Sequence, residues 1–305
     1  MRRSQTRVWL ISSILCCLLS SLRGQNKEAP VPLFKVDVAT VFMKVAVTDP
    51  LNRYVTGLEK QDFRIYEDNI RQTITHFSTQ AAPVSVGVLF DISGSMGYDR
   101  NEGRAKKYIR PFLESLNPDD EYFLITFNQK VTLVESFTKQ GATVQNDITL
   151  QKPGGRTALY DAVYLGLNEV NKAKNEKKAL ILISDGEDNS SRYTDLEVRE
   201  FCRESDVQIY TIGLGGPLGY GRSVLEQFAI ITGGRSFFPN GIEPFDVNYC
   251  MDLIQTELRH QYLLGYAPSN QVHDGKWRRI KIQLDAPRGF PKLSIRSRNG
   301  YYAPK

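Results

Sequence analysis

Three short segments carry the residues whose types and spacing suit chemistry. Asp91, Ser93 and Ser95, within DISGSM, place one carboxylate and two hydroxyls at alternate positions of a turn that follows an apolar run. Hard oxygen donors of this kind suit magnesium, with manganese or calcium as alternatives, whereas zinc prefers nitrogen and sulfur. Gly94 and Gly97 let the backbone bend closely round an ion. Two further segments offer matching donors: Thr157 follows Gly154-Gly155-Arg156 at the start of a helical pattern, and Asp185 lies in Ser184-Asp185-Gly186 at the end of another apolar run. The plainer account of each is a capped turn, in which a Ser, Thr or Asp side chain satisfies free N–H groups at a helix start. Three loops with one donor chemistry weigh against that account. Asp161 stays outside the set as a helix residue, and Glu187, Asp188 and Asn189 form a polar cluster that reads equally as a solvated loop or a ligand-choosing rim.

Nucleophilic catalysis is the competing chemistry. The SGSMG around Ser95 lacks the first glycine of G-x-S-x-G, and His76, His260 and His273 are the only imidazoles that could act as a base. A serine held on a metal is also a poor subject for general-base activation. GLGGPLGYG fails as a dinucleotide loop, because Leu218 stands where the third glycine counted from Gly213 belongs.

Loops of this kind need a scaffold that brings their ends together. VSVGVLF, EYFLITF, KALILIS and VQIYTIGLG are short, almost unbroken apolar runs, the mark of parallel strands covered on both faces. Between and after them, helical spacing predicts helices over Gly103–Leu116, Ala158–Lys174, Thr194–Glu204, Arg222–Ile231 and Pro244–Arg259. Val131–Glu135 fits an antiparallel edge strand hairpinned to EYFLITF. The expected fold class is α/β: a doubly wound, mostly parallel sheet with one antiparallel edge strand, which binds ligands at the carboxyl ends of its strands. The flanks alternate with period two, as at Val36/Val38, Val45/Val47, Ile280/Ile282/Leu284 and Leu293/Ile295. Each flank is too short for its own core, so 33–80 and 261–303 are expected to pair into one small β-sandwich-like domain, with 83–260 inserted between them.

DISGSM, GGRTALYDA and SDGEDN, in that order, resemble the metal-ion-dependent adhesion site of the von Willebrand factor A family. The resemblance implies a Rossmann-like domain over 83–260. It also implies that Ser93, Ser95 and, in the ligand-bound state, Thr157 coordinate the ion directly, while Asp91 and Asp185 contribute charge, often through bound water. The sixth position is then left for a carboxylate from a partner protein. LEKQDFRIYEDN before the domain, and YLLGYAP and GKWRRIKI after it, are similar to segments of exported bacterial proteins related to that family.

Composition fixes the surroundings of this domain. Arg2, Arg3 and Arg7 precede an apolar stretch from Val8 to Leu22, so 1–25 reads as a signal peptide, with an uncleaved anchor as the alternative. The chain has 39 basic and 34 acidic residues, and Arg2, Arg3, Arg7 and Arg23 leave with the leader, so the mature chain is nearly neutral and its basic balance gives no argument for nucleic acid as a partner. No later run is long enough to span a membrane once the leader is cleaved. Cys16 and Cys17 leave with the leader too, and Cys202 and Cys250 are expected as two free, buried thiols. The chain thus reads as a secreted or cell-envelope, non-enzymatic module that recognises an exposed carboxylate on a protein ligand through a divalent ion. The alternatives are a metal-dependent phosphoester hydrolase and a structural envelope component whose ion stabilises the fold.

Overall fold

Along the chain run β1 (Val41–Thr48), a 3-10 turn (Lys60–Asp62), β2 (Phe63–Glu67), β3 (Ile70–Gln72), β4 (Ile74–Ser78), β5 (Val84–Asp91) and α1 (Gly94–Tyr98). There follow β6 (Glu121–Phe127), β7 (Val131–Thr138), α2 (Leu159–Val170), β8 (Lys177–Ser184), α3 (Asp195–Glu204), β9 (Gln208–Gly213), α4 (Arg222–Thr232) and β10 (Ser236–Phe237). The order closes with α5 (Val247–His260), β11 (Tyr262–Tyr266), β12 (Trp277–Leu284), β13 (Ser294–Arg296) and β14 (Gly300–Tyr302). The computed structural model describes residues 40–80, 82–98, 118–140, 152–214, 221–239, 247–287 and 289–305. The leader, Val36 and Val38, the helix expected over Gly103–Leu116 and most of GLGGPLGYG lie outside the described residues.

The four apolar runs form the middle of a six-stranded sheet of order β10-β9-β8-β5-β6-β7, parallel except for the β6–β7 hairpin. Their lack of alternation follows from burial on both faces. Val86, Val88 and Phe90 pack with Cys250, Ile254 and Leu258 of α5 on one face. Leu89, Phe123 and Ile125 pack with Ala162 and Val163 of α2, Val198 of α3 and Phe228 of α4 on the other. Each such side chain stabilises the fold by about 1.5–3 kcal/mol. α3 starts where the sequence signals it: Thr194 Oγ1 accepts from the Glu197 N–H at 3.3 Å, and Glu197 Oε2 accepts from the Thr194 N–H at 2.8 Å.

The flanking strands build two four-stranded sheets, β13-β1-β11-β4 and β14-β12-β2-β3. β1 pairs antiparallel with β11, Val45 opposite Tyr262, and β2 pairs antiparallel with β12, Ile65 opposite Ile282. Met43, Val45, Phe63, Ile65, Tyr262, Leu264 and Ile280 share one core between the two sheets. Alternation is clean in β12, where Arg278 and Ile280 are buried and Arg279 and Lys281 exposed. β1 differs, being buried on both sides except at Phe42. Its second face is covered by the α/β part: Lys44 Nζ donates to the Asp206 carbonyl at 2.7 Å, in the loop before β9.

Polar contacts join the two parts. Glu257 of α5 is fully buried and accepts from Tyr54 at 2.6 Å, from Tyr210 of β9 at 3.1 Å and from Arg296 of β13. The described residues belong to a single compact unit. Cys202 on α3 and Cys250 on α5 are buried in cores on opposite faces of the central sheet, which places them out of reach of a disulfide. Among the described residues no helix is long and apolar enough to cross a membrane.

Candidate metal centre

β5 and β8 are neighbours in the sheet, so Asp91, which ends β5, emerges beside Ser184, which ends β8. Asp91 is fully buried and both of its oxygens are engaged. Oδ1 accepts the Ser93 N–H at 2.8 Å, and Oδ2 accepts the Ser184 hydroxyl at 2.6 Å. Burial pushes its carboxyl up to about 6; the hydrogen bonds from Ser184 and Ser93 oppose that rise, and the charge of Asp185 adds to it. Above Asp91 the turn lifts Ser93, still buried, and then Ser95, which is exposed, with their hydroxyl oxygens 3.1 Å apart.

The second loop is tied to the first by its backbone. Gly94 N donates to Gly155 O at 2.9 Å, and Gly154 N donates to Ile92 O at 2.8 Å. The β6–β7 turn braces it from behind: Asn128 Nδ2 donates to Gly154 O at 2.9 Å, and Gln129 Oε1 accepts from Arg156 N at 2.9 Å. Gly155 has φ +84°, which favours glycine, and a Cβ there would displace the amide end of the flexible Gln129 side chain. Thr157 follows, almost fully buried at 3% exposure.

The third loop is stitched to the second through Asn189, whose N–H donates to Thr157 O at 3.0 Å and whose Oδ1 accepts from Thr157 N at 2.9 Å. Asp185, half-buried, accepts the Glu187 N–H at 3.1 Å through Oδ1. Asp161 braces the far end of this loop, accepting the N–H groups of Arg192 at 2.9 Å and Tyr193 at 3.1 Å, which accounts for its carboxylate without an ion. Asp188 is likewise occupied, by Ser191 and by the Tyr160 N–H.

The five candidate donors, Asp91 at the end of β5, Ser93 and Ser95 in the first loop, Thr157 in the second and Asp185 in the third, therefore stand at the carboxyl edge of β5 and β8, with backbone hydrogen bonds joining the second loop to the first and to Asn189 of the third. Among the described residues no group of three or more His, Cys, Asp or Glu side chains is placed to hold a metal, so an ion at this edge depends on hydroxyl donors. Sequence reasoning did not single out Ser184 or the Asn128–Gln129 turn. Ser184 was visible beside Asp185 as a polar end to an apolar run; nothing in the spacing linked Gln129 to Arg156.

A family model described as the von Willebrand factor type A domain matches residues 85–240. A protein of Synechocystis sp., itself described as uncharacterized, is 25% identical over 166 residues, which cover 53% of this chain and 39% of that protein. The chain thus spans well under two thirds of the length of that curated relative. Among solved structures, proximal thread matrix protein 1 from the mussel byssus, with its MIDAS motif occupied by zinc, aligns with a TM-score of 0.50 and 19% identity over 63% of this chain and 49% of that one. The vWF domain of the type V pili tip protein from Porphyromonas gingivalis aligns with a TM-score of 0.49 and 14% identity over 58% of this chain and 95% of that one. At these identities the structural likeness speaks to fold alone.

Proposed function

The chain belongs to the von Willebrand factor type A domain family, and from that premise we propose that it is an exported binding module gripping an acidic group of a partner protein through a divalent ion held by Asp91, Ser93, Ser95, Thr157 and Asp185. The observation that carries this reading is the pair of hydroxyl oxygens 3.1 Å apart on Ser93 and Ser95, above a carboxylate with both oxygens already engaged. At that distance the two hydroxyls hydrogen-bond to each other, which holds two hard oxygens together for magnesium, manganese or calcium.

In this reading Ser93, Ser95 and Thr157 ligate directly. Asp91, whose oxygens are spoken for, supplies charge through water, as does Asp185. A bound ion would supply the positive charge that a partner's carboxylate requires. With Asp91 and Asp185 held one water away, the inner shell contains only neutral hydroxyl and water oxygens, which leaves the ion able to take a partner's carboxylate directly. The imidazoles lie elsewhere: His76 packs against Phe42, His260 Nδ1 contacts the Thr256 carbonyl within α5, and His273 lies in the β11–β12 connection. That distribution supports binding over hydrolysis. The same proposal takes 1–25 as an export leader, places the protein outside the cytoplasm or in the envelope, and treats 83–260 as a domain inserted between 33–80 and 261–303.

Calorimetric titration with magnesium tests the ion. Ser95→Ala and Asp185→Ala are expected to weaken binding at least about tenfold with the circular dichroism unchanged. Wild-type affinity in both variants would sink the assignment. Envelope proteins retained by the immobilised chain with magnesium and released by chelator test the partner; an identical set in both conditions counts against it.

A further inference from the structure

Arg156, next to Thr157, is exposed and reaches across to the third loop, where Nε donates to Asn189 Oδ1 at 3.4 Å and Nη2 donates to the Asn189 carbonyl. Those contacts use neutral acceptors and leave other guanidinium N–H groups free. Among the described residues Arg156 pairs with no carboxylate, unlike Arg192, which pairs with Asp161, and Arg222, which pairs with Glu226. Lys130, in the turn that braces the second loop, and Lys152 are also exposed and pair with no carboxylate among the described residues. The third loop, which that guanidinium reaches at Asn189, also carries Asp185 and the exposed Glu187. A guanidinium oriented by two contacts loses little further freedom when it binds, and its fork suits a carboxylate better than a lysine ammonium does.

We propose that Arg156 is a specificity-determining residue: the recognised ligand is a doubly acidic segment, one carboxylate taken at the metal site and a second taken by the Arg156 guanidinium where it lies against Asn189. This rests on the metal-bridged reading above and adds to it the number of the acidic groups. A ligand with a single acid satisfies the ion and leaves Arg156 without a carboxylate.

The test uses the full chain with magnesium in excess, titrated with succinate, glutarate and adipate and, as single-acid controls, with propionate and butyrate. Binding is followed by nuclear magnetic resonance at the Ser95 amide and at the Arg156 Nε–Hε group. At least one diacid is expected to bind about two- to tenfold more tightly than the single acids, with the Arg156 signal moving only for the diacid. Arg156→Gln removes that advantage and Arg156→Lys restores part of it. Magnesium affinity of Arg156→Gln, measured by calorimetry without any acid, holds or rises, since a cation is removed from beside the ion. Equal binding of single acids and diacids by the wild type overturns this inference and leaves the metal-bridged reading standing. Acid binding that ignores chelator overturns both.

Discussion

Asp91 occupies a position that a charged carboxylate tolerates poorly, fully buried at the end of β5, and its hydrogen bonds only partly offset that cost. The consequence has a definite sign. A carboxyl raised to about 6 in the folded state favours its neutral form, so the stability it contributes is complete below the ordinary carboxylate range and is lost as pH rises through about 6. The metal-free wild type should therefore lose up to about 3 kcal/mol between pH 4 and 7 relative to Asp91→Asn, which has no proton to release. Urea melts of both proteins in chelator across that range check this, and parallel stability curves would contradict it. Magnesium binding should weaken as pH falls below about 6, because the proton and the ion compete for the same carboxylate. The residue types behind the proposed oxygen ligation were legible as one acid and two hydroxyls at alternate positions. What pins the acid was less legible, because Ser184 lies 93 residues away and only the β5–β8 ladder brings it to 2.6 Å.

At the scale of elements, the loops are preorganised by backbone contacts that side-chain identity does not reveal. Gly155→Ala is the sharpest probe, since it demands a left-handed backbone of an alanine and pushes the Gln129 amide off its contact with Arg156 N. A cost of about 1–3 kcal/mol and a loss of magnesium affinity are expected, because Thr157 rides on this loop. Thermal melts and calorimetry measure the two effects separately; wild-type values in both would show that the loop is not held as described. The apolar runs and the antiparallel edge were readable because burial on both faces leaves an unbroken pattern. Element ends were less so. α2 stops at Val170, short of the expected Lys174, because Lys174 N donates to Glu121 Oε1 at 2.7 Å and Asn175 N donates to Ser85 Oγ at 3.3 Å, drawing the chain onto the start of β8. β7 continues beyond the expected Glu135 to Thr138, where it still pairs with Tyr122.

At the scale of the whole molecule, Glu257 joins α5 to the flanking strands through Tyr54 and Arg296. Glu257→Ala leaves the Arg296 guanidinium with a buried Nε already lacking a partner and no carboxylate opposite it, so a loss of about 3–5 kcal/mol is expected, larger than for Glu257→Gln. Comparing the denaturant midpoints of the two variants decides whether charge pairing or shape holds the joint. The alternating flanks announced strands, yet nothing in their pattern showed that β1 would be covered on its second face, because that depends on Asp206 arriving from the α/β part. The ladders β1–β11 and β2–β12 also impose an order in time. Each joins residues separated by roughly 200 positions, which a ribosome adding about 5–20 residues per second takes about 10–40 s to traverse. During that interval β1 and β2 have left the ribosome without their partners, while the intervening sheet, with its nearer contacts, can complete its own core. The last strands to be made then close ladders begun by the first, so translation speed and chaperone cover over that interval bear on the yield of native protein.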